Sequence, residues 1–200
     1  MNHLAILQLH QVAIGRGDFI LCNDVNLTLH AGDVCHLVGE NGLGKTTLLN
    51  QISGLLPVTH GTITKSPLVY IAHQLGISPA LTVAQNLRFL LSLYDIQADD
   101  DMLDTALDMV GLYGLGNTSS VWLSAGQKRR IGLARLFIMT PNHAPLWLLD
   151  EPLTALDMTM VAKLEKRIGD FANTGGAVLA TSHQAMQGAN CILDLTEFAL

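Results

Sequence analysis

Residues 39–47, Gly-Glu-Asn-Gly-Leu-Gly-Lys-Thr-Thr, are the stretch that most constrains how this 200-residue chain can fold. They follow the apolar run 34–38, and a strand that turns through glycines into a helix presents unpaired backbone N–H groups at the helix N-terminus. The stretch fits G-x-x-x-x-G-K-[ST], in which Lys45 reaches the β- and γ-phosphates of a nucleotide and the Thr46 hydroxyl binds Mg²⁺. It therefore predicts a phosphate-binding loop. The residues expected to contact the nucleotide are Gly39, Asn41, Gly42, Gly44, Lys45, Thr46 and Thr47.

A pair of carboxylates that could serve this loop stands at positions 150 and 151. The unbroken apolar run 145–149 is typical of a parallel strand buried on both faces, and it ends in Asp150-Glu151-Pro152. Open α/β sheets bind their ligands at the carboxyl ends of such strands. We therefore expect Asp150 to position Mg²⁺ and Glu151 to orient or deprotonate a water molecule in phosphoryl transfer. Without the glycine-rich loop, a strand end turning into a loop would explain the same residues equally well.

Residues 123–130, Leu-Ser-Ala-Gly-Gln-Lys-Arg-Arg, predict a second anion site. Ser124 and Gln127 have the spacing of a capping box, so a hydroxyl and free N–H groups lie at the positive end of a helix predicted to run through Met139. The basic run Lys128-Arg129-Arg130 on this helix is interpreted as a solvated face. A net charge of −6 argues against a nucleic-acid partner, because the long-range field repels phosphates.

Composition restricts the setting in which the chain works. The hydrophobic fraction is 49% and the mean hydropathy is +0.34, yet no apolar stretch approaches the roughly 18 residues of a membrane span. We expect the excess apolar surface to face a partner. The start Met1–Leu7 lacks the features of a signal peptide, which predicts a cytoplasmic protein. Cys22, Cys35 and Cys191 are odd in number and lack C-x-x-C spacing, so buried reduced thiols are expected rather than disulfides or a zinc site.

The remaining patterns predict one α/β domain. Residues 4–9 and 25–29 read as an antiparallel edge around a turn at 15–18, and Lys45–Ser53 as a helix that ends at Gly54. Further strands are expected at 61–64, 68–72, 145–149, 177–181 and 191–195.

From residue 75 onward the pattern becomes helical. Thr82–Gln85 reads as a capping box, and Asp99–Asp101 suit the start of a helix to Val110 better than a metal site. Asp157 could cap a further helix through Phe171. The sequence thus predicts a single domain of residues 1–200, with a nucleotide-binding core formed by 1–74 and 141–200 and a helical subdomain formed by 75–140.

These motifs occur in the order found in ATP-binding cassette ATPases, and the chain resembles that family over nearly its whole length. The resemblance implies a P-loop NTPase fold of the α/β class, with a mixed sheet core, an antiparallel β edge and an inserted helical subdomain. It implies ATP hydrolysis with Mg²⁺. It also implies a head-to-tail homodimer with two ATP molecules at the interface, in which Ser124, Gly126 and Gln127 bind the γ-phosphate held by the other subunit.

Further residues take roles from the resemblance alone. Gln74 would contact the metal or the attacking water and relay the nucleotide state to the helical subdomain. His183 would hold the γ-phosphate or position the water of Glu151, and Asp157 would couple the two sites and contact the nucleotide site. Taken singly, Gln74 could be a plain loop residue, His183 a strand-end histidine and Asp157 a helix cap.

Three positions depart from the pattern of the family. Arg16 stands where an aromatic residue usually lies under the adenine, so the base would be held by this guanidinium, by Phe19, or weakly. Glu40 replaces a common proline and is expected to point outward. Ala125 replaces a glycine and still permits a phosphate to approach closely.

Within the family the chain resembles the ATPase subunits of haem-exporter-type systems in bacterial cytochrome c maturation. This resemblance lies in the compact length and in the stretches 72–87, 123–136, 150–157 and 181–184. It implies an ATPase that docks on integral membrane permease subunits through residues 74–94, at the cytoplasmic face of the inner membrane. The ATPase of another small-molecule or lipid exporter, a soluble assembly ATPase and a regulatory ATP-binding module remain alternatives.

Overall fold

The computed structural model describes residues 4–16, 19–73 and 76–200. Its strands are β1 Leu7–Arg16, β2 Phe19–Leu29, β3 Val34–Val38, β4 Thr62–Lys65, β5 Leu68–Ile71, β6 Leu146–Leu149, β7 Ala177–Thr181 and β8 Cys191–Asp194. Its α-helices are α1 Lys45–Ser53, α2 Val83–Ser92, α3 Asp100–Met109, α4 Ala125–Ala134 and α5 Met158–Asn173, and short 3₁₀ helices cover Ser120–Trp122, Arg135–Phe137 and Leu195–Phe198.

A five-stranded parallel sheet in the order β5-β6-β7-β3-β8 forms the centre of the fold. Its inner strands β6 and β7 are buried at every position, which explains their continuous apolar sequences. Because all five strands run in the same direction, their carboxyl ends meet at one edge. The glycine-rich loop, Asp150 and His183 all follow strands at this edge.

The antiparallel strands form a second, three-stranded sheet in the order β2-β1-β4. Both strand orientations are therefore present, as predicted, but they lie in two sheets. Strands β1 and β2 are longer than the predicted 4–9 and 25–29, because irregular pairing interrupts the alternating pattern. Gln11 and Asp24 have φ of 49° and 56°, and such left-handed residues shift the following side chains to the other face.

Helix starts and ends follow the predicted capping residues. Helix α1 begins at Lys45 and ends before Gly54, which has φ of 91°. The Thr82 capping box opens α2, and the Asp99 carboxylate accepts the N–H of Met102 at 2.8 Å to cap α3. The predicted helix through Met139 is shorter, because α4 ends at Ala134 and continues only as a 3₁₀ turn.

Two buried apolar clusters cover the two faces of the parallel sheet. Helices α2 to α5 pack on one face, where Trp147 and Phe171 stack with ring centroids 3.6 Å apart. Helix α1 and the antiparallel sheet pack on the other face. Cys22 and Cys35 are buried as expected, while Cys191 on the edge strand is only half-buried. No helix among the described residues has the length and apolar character that a membrane span requires.

Candidate active site

The glycine-rich loop joins β3 to α1 in a conformation that depends on glycine. Gly44 lies directly before the helix with φ of 104°, and a Cβ atom there would come within 2.6 Å of the Ile14 Cγ2 atom. The loop therefore packs tightly against strand β1. The first N–H groups of α1 remain free to bind an anion, since Gly44 provides no side-chain cap.

The Lys45 side chain folds back over the glycine-rich loop. Its Nζ donates hydrogen bonds to the carbonyl oxygens of Gly39 at 2.6 Å and Glu40 at 3.0 Å. The ammonium group is thereby held over the loop that the sequence predicts to surround phosphates. The Glu40 side chain is exposed, as expected for a carboxylate that has to avoid that anion.

Asp150 lies at the end of β6 and is only 4% exposed. One carboxylate oxygen, Oδ2, accepts the hydroxyl of Thr46 at 2.9 Å, and the other, Oδ1, accepts the hydroxyl of Thr181 at 3.0 Å. Thr46 and Asp150, two of the three residues predicted to bind the metal, are thus in direct contact. This oxygen donor set suits Mg²⁺, which prefers carboxylate, hydroxyl and water ligands.

Glu151 and His183 form a pair beside Asp150. The Oε1 atom of Glu151 lies 2.9 Å from Nε2 of His183, and the two side chains are 28% and 58% exposed. The Glu151 backbone is left-handed with φ of 50°, and its N–H donates to the Thr181 hydroxyl at 2.8 Å. The Thr154 hydroxyl contacts the second carboxylate oxygen at 3.2 Å. Both predicted residues therefore reach the same point, although they are 32 positions apart in the chain.

A cavity of about 490 Å³ opens over the loop. It is lined by Phe19, Leu21, Asn41, Gly42, Gly44, Lys45, Thr46, Thr47 and Glu151. The Phe19 side chain is 80% exposed, so its ring is accessible for stacking on an adenine. A neighbouring cavity of about 400 Å³ shares Lys45 and Glu151 and also includes His183. The predicted Gln74 and the side chain of Arg16 lie outside the described residues.

The capping box predicted at Ser124 and Gln127 is present, and it lies apart from the glycine-rich loop. The Ser124 hydroxyl accepts the N–H of Gln127 at 3.2 Å, and the Gln127 side chain accepts the N–H of Ser124 at 3.0 Å. This capping box starts α4 as predicted. None of Ser124, Gly126 and Gln127 is among the residues that line the two cavities next to Lys45.

The basic run at 128–130 is not a solvated face, which corrects the prediction. Arg129 is only 7% exposed and donates to the carbonyl oxygens of Asp150, at 3.2 Å, and Glu151. Arg130 forms an ion pair with Asp157 at 2.8 Å. A charge run was a poor guide here, because helical periodicity turns each of the three residues in a different direction.

Asp157 caps helix α5, as one of its two interpretations requires. Its carboxylate accepts the N–H of Met160 at 2.9 Å. This hydrogen bond, followed by the Arg130 guanidinium, holds the pKa of Asp157 below its usual range.

Sequence reasoning missed Thr181 and Arg129 as parts of this site. Thr181 joins the carboxylate of Asp150 to the backbone of Glu151, and Arg129 holds the carbonyl groups of the same two residues. A signal for Thr181 was available, because a lone polar residue ends an otherwise apolar strand directly before the stretch that carries His183. Arg129 has no comparable signal in the local sequence.

Comparison with known proteins identifies the family of this chain. The family model "ABC transporter" matches residues 22–154. The Mannheimia succiniciproducens protein "Cytochrome c biogenesis ATP-binding export protein CcmA" is 36% identical, with 99% of this chain and 97% of that protein aligned. The Vibrio cholerae protein of the same name is 38% identical over 92% of this chain and 94% of its own length. A solved dimer of the ATP-binding cassette MJ0796 with ADP and Pi shares the fold, at a TM-score of 0.80 and 23% identity over 94% of each chain.

The family model thus covers the glycine-rich loop and both carboxylates, and the two named relatives align with at least nine-tenths of the chain. The chain belongs to the ABC transporter family, as one of its ATP-binding cassette ATPases.

Proposed function

We propose that this chain is the ATP-hydrolysing subunit of a membrane complex in cytochrome c maturation, and that it powers the handling of haem or of a haem-carrying chaperone. The similarity to relatives named for cytochrome c biogenesis, over nearly the full length of both chains, carries this proposal. The geometry of the site alone supports an ATPase, because the cargo of such a motor is selected by other subunits.

The contacts in the site support a separate role in ATP hydrolysis for each of Lys45, Glu151 and His183. Lys45 holds its ammonium group over the loop and can transfer its hydrogen bonds from the Gly39 and Glu40 carbonyls to the β- and γ-phosphates. Glu151 orients or deprotonates the attacking water, and His183 holds the γ-phosphate or positions that water. The distance of 2.9 Å between Glu151 Oε1 and His183 Nε2 supports these roles.

Thr46 and Asp150 are the residues that would hold Mg²⁺, together with Gln74. Their hydrogen bond at 2.9 Å places two oxygen ligands at one point beside the loop. When bound, Mg²⁺ neutralises charge that develops on the phosphate oxygens. The hydroxyl of Thr181 orients Asp150 from the opposite side, so that the carboxylate keeps one fixed direction.

A second copy of the chain would complete the site. Ser124, Gly126 and Gln127 lie at a capped helix start and do not line the cavity beside Lys45, which supports a role in binding ATP held by another subunit. Of the related structures, the ATP-binding cassette MJ0796 has been solved as a dimer. Asp157, at the start of α5, would couple the two sites of the dimer.

Residues 74–94 are the proposed contact with integral membrane subunits at the cytoplasmic face of the inner membrane. Helix α2 exposes Phe89 by 52%, and Leu93, just after this helix, is 61% exposed, so apolar surface is available to a partner. The division into a core of 1–74 and 141–200 and a helical subdomain of 75–140 is part of this proposal. It makes the subdomain the element that passes nucleotide state to the membrane.

The test has a biochemical and a cellular arm. Purified wild-type protein should hydrolyse ATP, while Glu151→Gln should bind ATP and lose hydrolysis by about 10²–10⁴-fold. In the source organism, deletion of the gene should abolish covalent haem in c-type cytochromes, and wild type but not Glu151→Gln should restore it. Normal c-type cytochromes after deletion would overturn the pathway assignment, and full hydrolysis by Glu151→Gln would overturn the proposed chemistry.

A further inference from the structure

Arg129 connects helix α4 to the backbone that carries Glu151. Its Nη2 atom donates to the carbonyl oxygen of Asp150 at 3.2 Å and also to the carbonyl oxygen of Glu151. The guanidinium group is planar and presents several donors in a fixed arrangement, so one side chain can hold two successive carbonyl groups. The residue lies five positions after Ser124, on the helix that starts with the capping box.

The backbone held by Arg129 is one that a glutamate rarely adopts. Glu151 has φ of 50°, a left-handed conformation that persists only where surrounding groups enforce it. The N–H of Glu151 is fixed by the Thr181 hydroxyl at 2.8 Å, and its C=O is fixed by Arg129. Hydrogen bonds on both sides of the residue therefore determine where its side chain points, which is toward His183.

Burial of the charged Arg129 guanidinium is unfavourable in free energy, because the group loses its hydration. Burial lowers the pKa of Arg129, and the nearby carboxylates of Glu151 and Asp150 oppose that shift. Its recorded hydrogen bonds go to carbonyl oxygens, and none goes to a carboxylate among the described residues. A buried charged side chain whose hydrogen bonds go to two backbone carbonyl groups indicates that these contacts fix the position of the backbone at Asp150 and Glu151.

The next residue on α4 strengthens the same connection. Arg130 pairs with Asp157 at 2.8 Å, so consecutive arginines hold the two ends of the segment 150–157. Helix α4 is therefore linked to both ends of this segment.

We propose that Arg129 is a positioning residue for Glu151, which it holds in the left-handed backbone conformation required to aim the carboxylate at the attacking water. The inference rests on the proposed role of Glu151 in hydrolysis. It adds that the helix which begins with Ser124, the expected contact with the partner's ATP, also holds this subunit's own Glu151.

The test compares Arg129→Gln and Arg129→Lys with a matched arginine. Arg167 also donates to backbone carbonyl oxygens, those of Leu136 and Met139, and packs over Trp147 away from the site. Arg129→Gln should lower kcat by about 10²-fold, the loss typical of a misplaced group, with the KM for ATP within about twofold of wild type. Arg167→Gln should lower the melting temperature and leave kcat within about twofold.

Two further readouts separate positioning from folding. Arg129→Lys keeps a cationic donor but not the planar guanidinium whose Nη2 donates to both carbonyl groups, so its kcat should lie between those of wild type and Arg129→Gln. This variant decides the question if the glutamine variant fails to fold. Arg129→Gln should also accumulate ATP-bound protein, as Glu151→Gln does, because binding survives while hydrolysis slows.

The outcomes distinguish this inference from the proposed function. If wild type hydrolyses ATP and Glu151→Gln does not, a folded Arg129 variant with wild-type kcat overturns the inference alone. A loss of ATP binding in Arg129→Lys that parallels its loss of stability would also overturn it, since Arg129 would then be merely structural. If Glu151→Gln hydrolyses ATP normally, the proposed chemistry fails first.

Discussion

Replacement of Thr181 by valine removes the hydroxyl that joins Asp150 to Glu151 without changing the shape of the side chain. Thr181 is 1% exposed, donates to the Asp150 carboxylate at 3.0 Å and accepts the Glu151 N–H at 2.8 Å. A buried N–H left unpaired costs about 1–3 kcal/mol, and a hydrogen bond to a charged group contributes about 1.5–3 kcal/mol. Because the two losses share one site, we expect Thr181→Val to lower the free energy of unfolding by about 2–5 kcal/mol.

Urea unfolding followed by circular dichroism measures this loss, and a thermal scan provides a second measure. For a domain of this size each kcal/mol corresponds to about 2–4 °C, so the melting temperature should fall by roughly 4–20 °C. Hydrolysis, measured as phosphate release well below the transition, should fall as well, because Asp150 and Glu151 lose their common hydrogen-bond partner.

Thr181→Ser is the matched control for the same site. It keeps the hydroxyl and removes only a methyl group, so it should retain hydrolysis and lose no more than about 1.5 kcal/mol. A valine variant within about 0.5 kcal/mol of wild type, or a serine variant as inactive as the valine variant, would contradict this role of the Thr181 hydroxyl.

Three other predictions concern the loop, the cap of α5 and the surface beside Ser124. Gly44→Ala should lose the rise in melting temperature that ATP gives to wild type, because a Cβ atom would lie 2.6 Å from Ile14 and the φ of 104° disfavours alanine; an unchanged rise would contradict this. The pKa of Asp157 is lowered in the folded protein, so its contribution to stability is present above about pH 4 and is lost as the pH falls further. The difference in unfolding free energy between wild type and Asp157→Asn should therefore shrink between pH 6 and pH 3. A difference that stays constant over this range would count against the cap. Trp122 is 82% exposed and Trp147 is buried, so formation of an ATP-bound dimer should shift the tryptophan fluorescence of wild type but not that of Trp122→Phe. An equal shift in both proteins would show that the change occurs away from Trp122.

Local sequence predicted most elements of the parallel sheet and the helix ends. Strand β7 has the predicted bounds, and α1 runs from Lys45 to Ser53 as predicted because glycines mark both of its ends. These features depend on backbone preferences within a few residues and on continuous apolar runs. Strands β1 and β2 were predicted too short, because their irregular pairing depends on the partner strand rather than on either sequence alone.

The site was predictable as a set of motifs but not as a network of contacts. The loop, Asp150 and Glu151 were predicted from residue type and position, His183 was predicted from the family resemblance, and the structure brings them together. The burial of Arg129 was not, because its partners are backbone carbonyl oxygens 21 and 22 positions away, which leave no pattern in the sequence. Contacts of this kind, between a side chain and a backbone segment far away in the sequence, can be identified only in the folded structure.

In the proposed dimer, a second copy of the chain completes the ATP site through Ser124. The mass in solution of Glu151→Gln, measured by light scattering during gel filtration with and without Mg²⁺ and ATP, tests this arrangement. We expect the mass to change from 21.5 kDa to twice that value on addition of ATP, and not to change when Ser124→Arg is added to the same protein while ATP binding is retained. A Glu151→Gln protein that binds ATP and remains at 21.5 kDa, or a double variant that still dimerises, would contradict it.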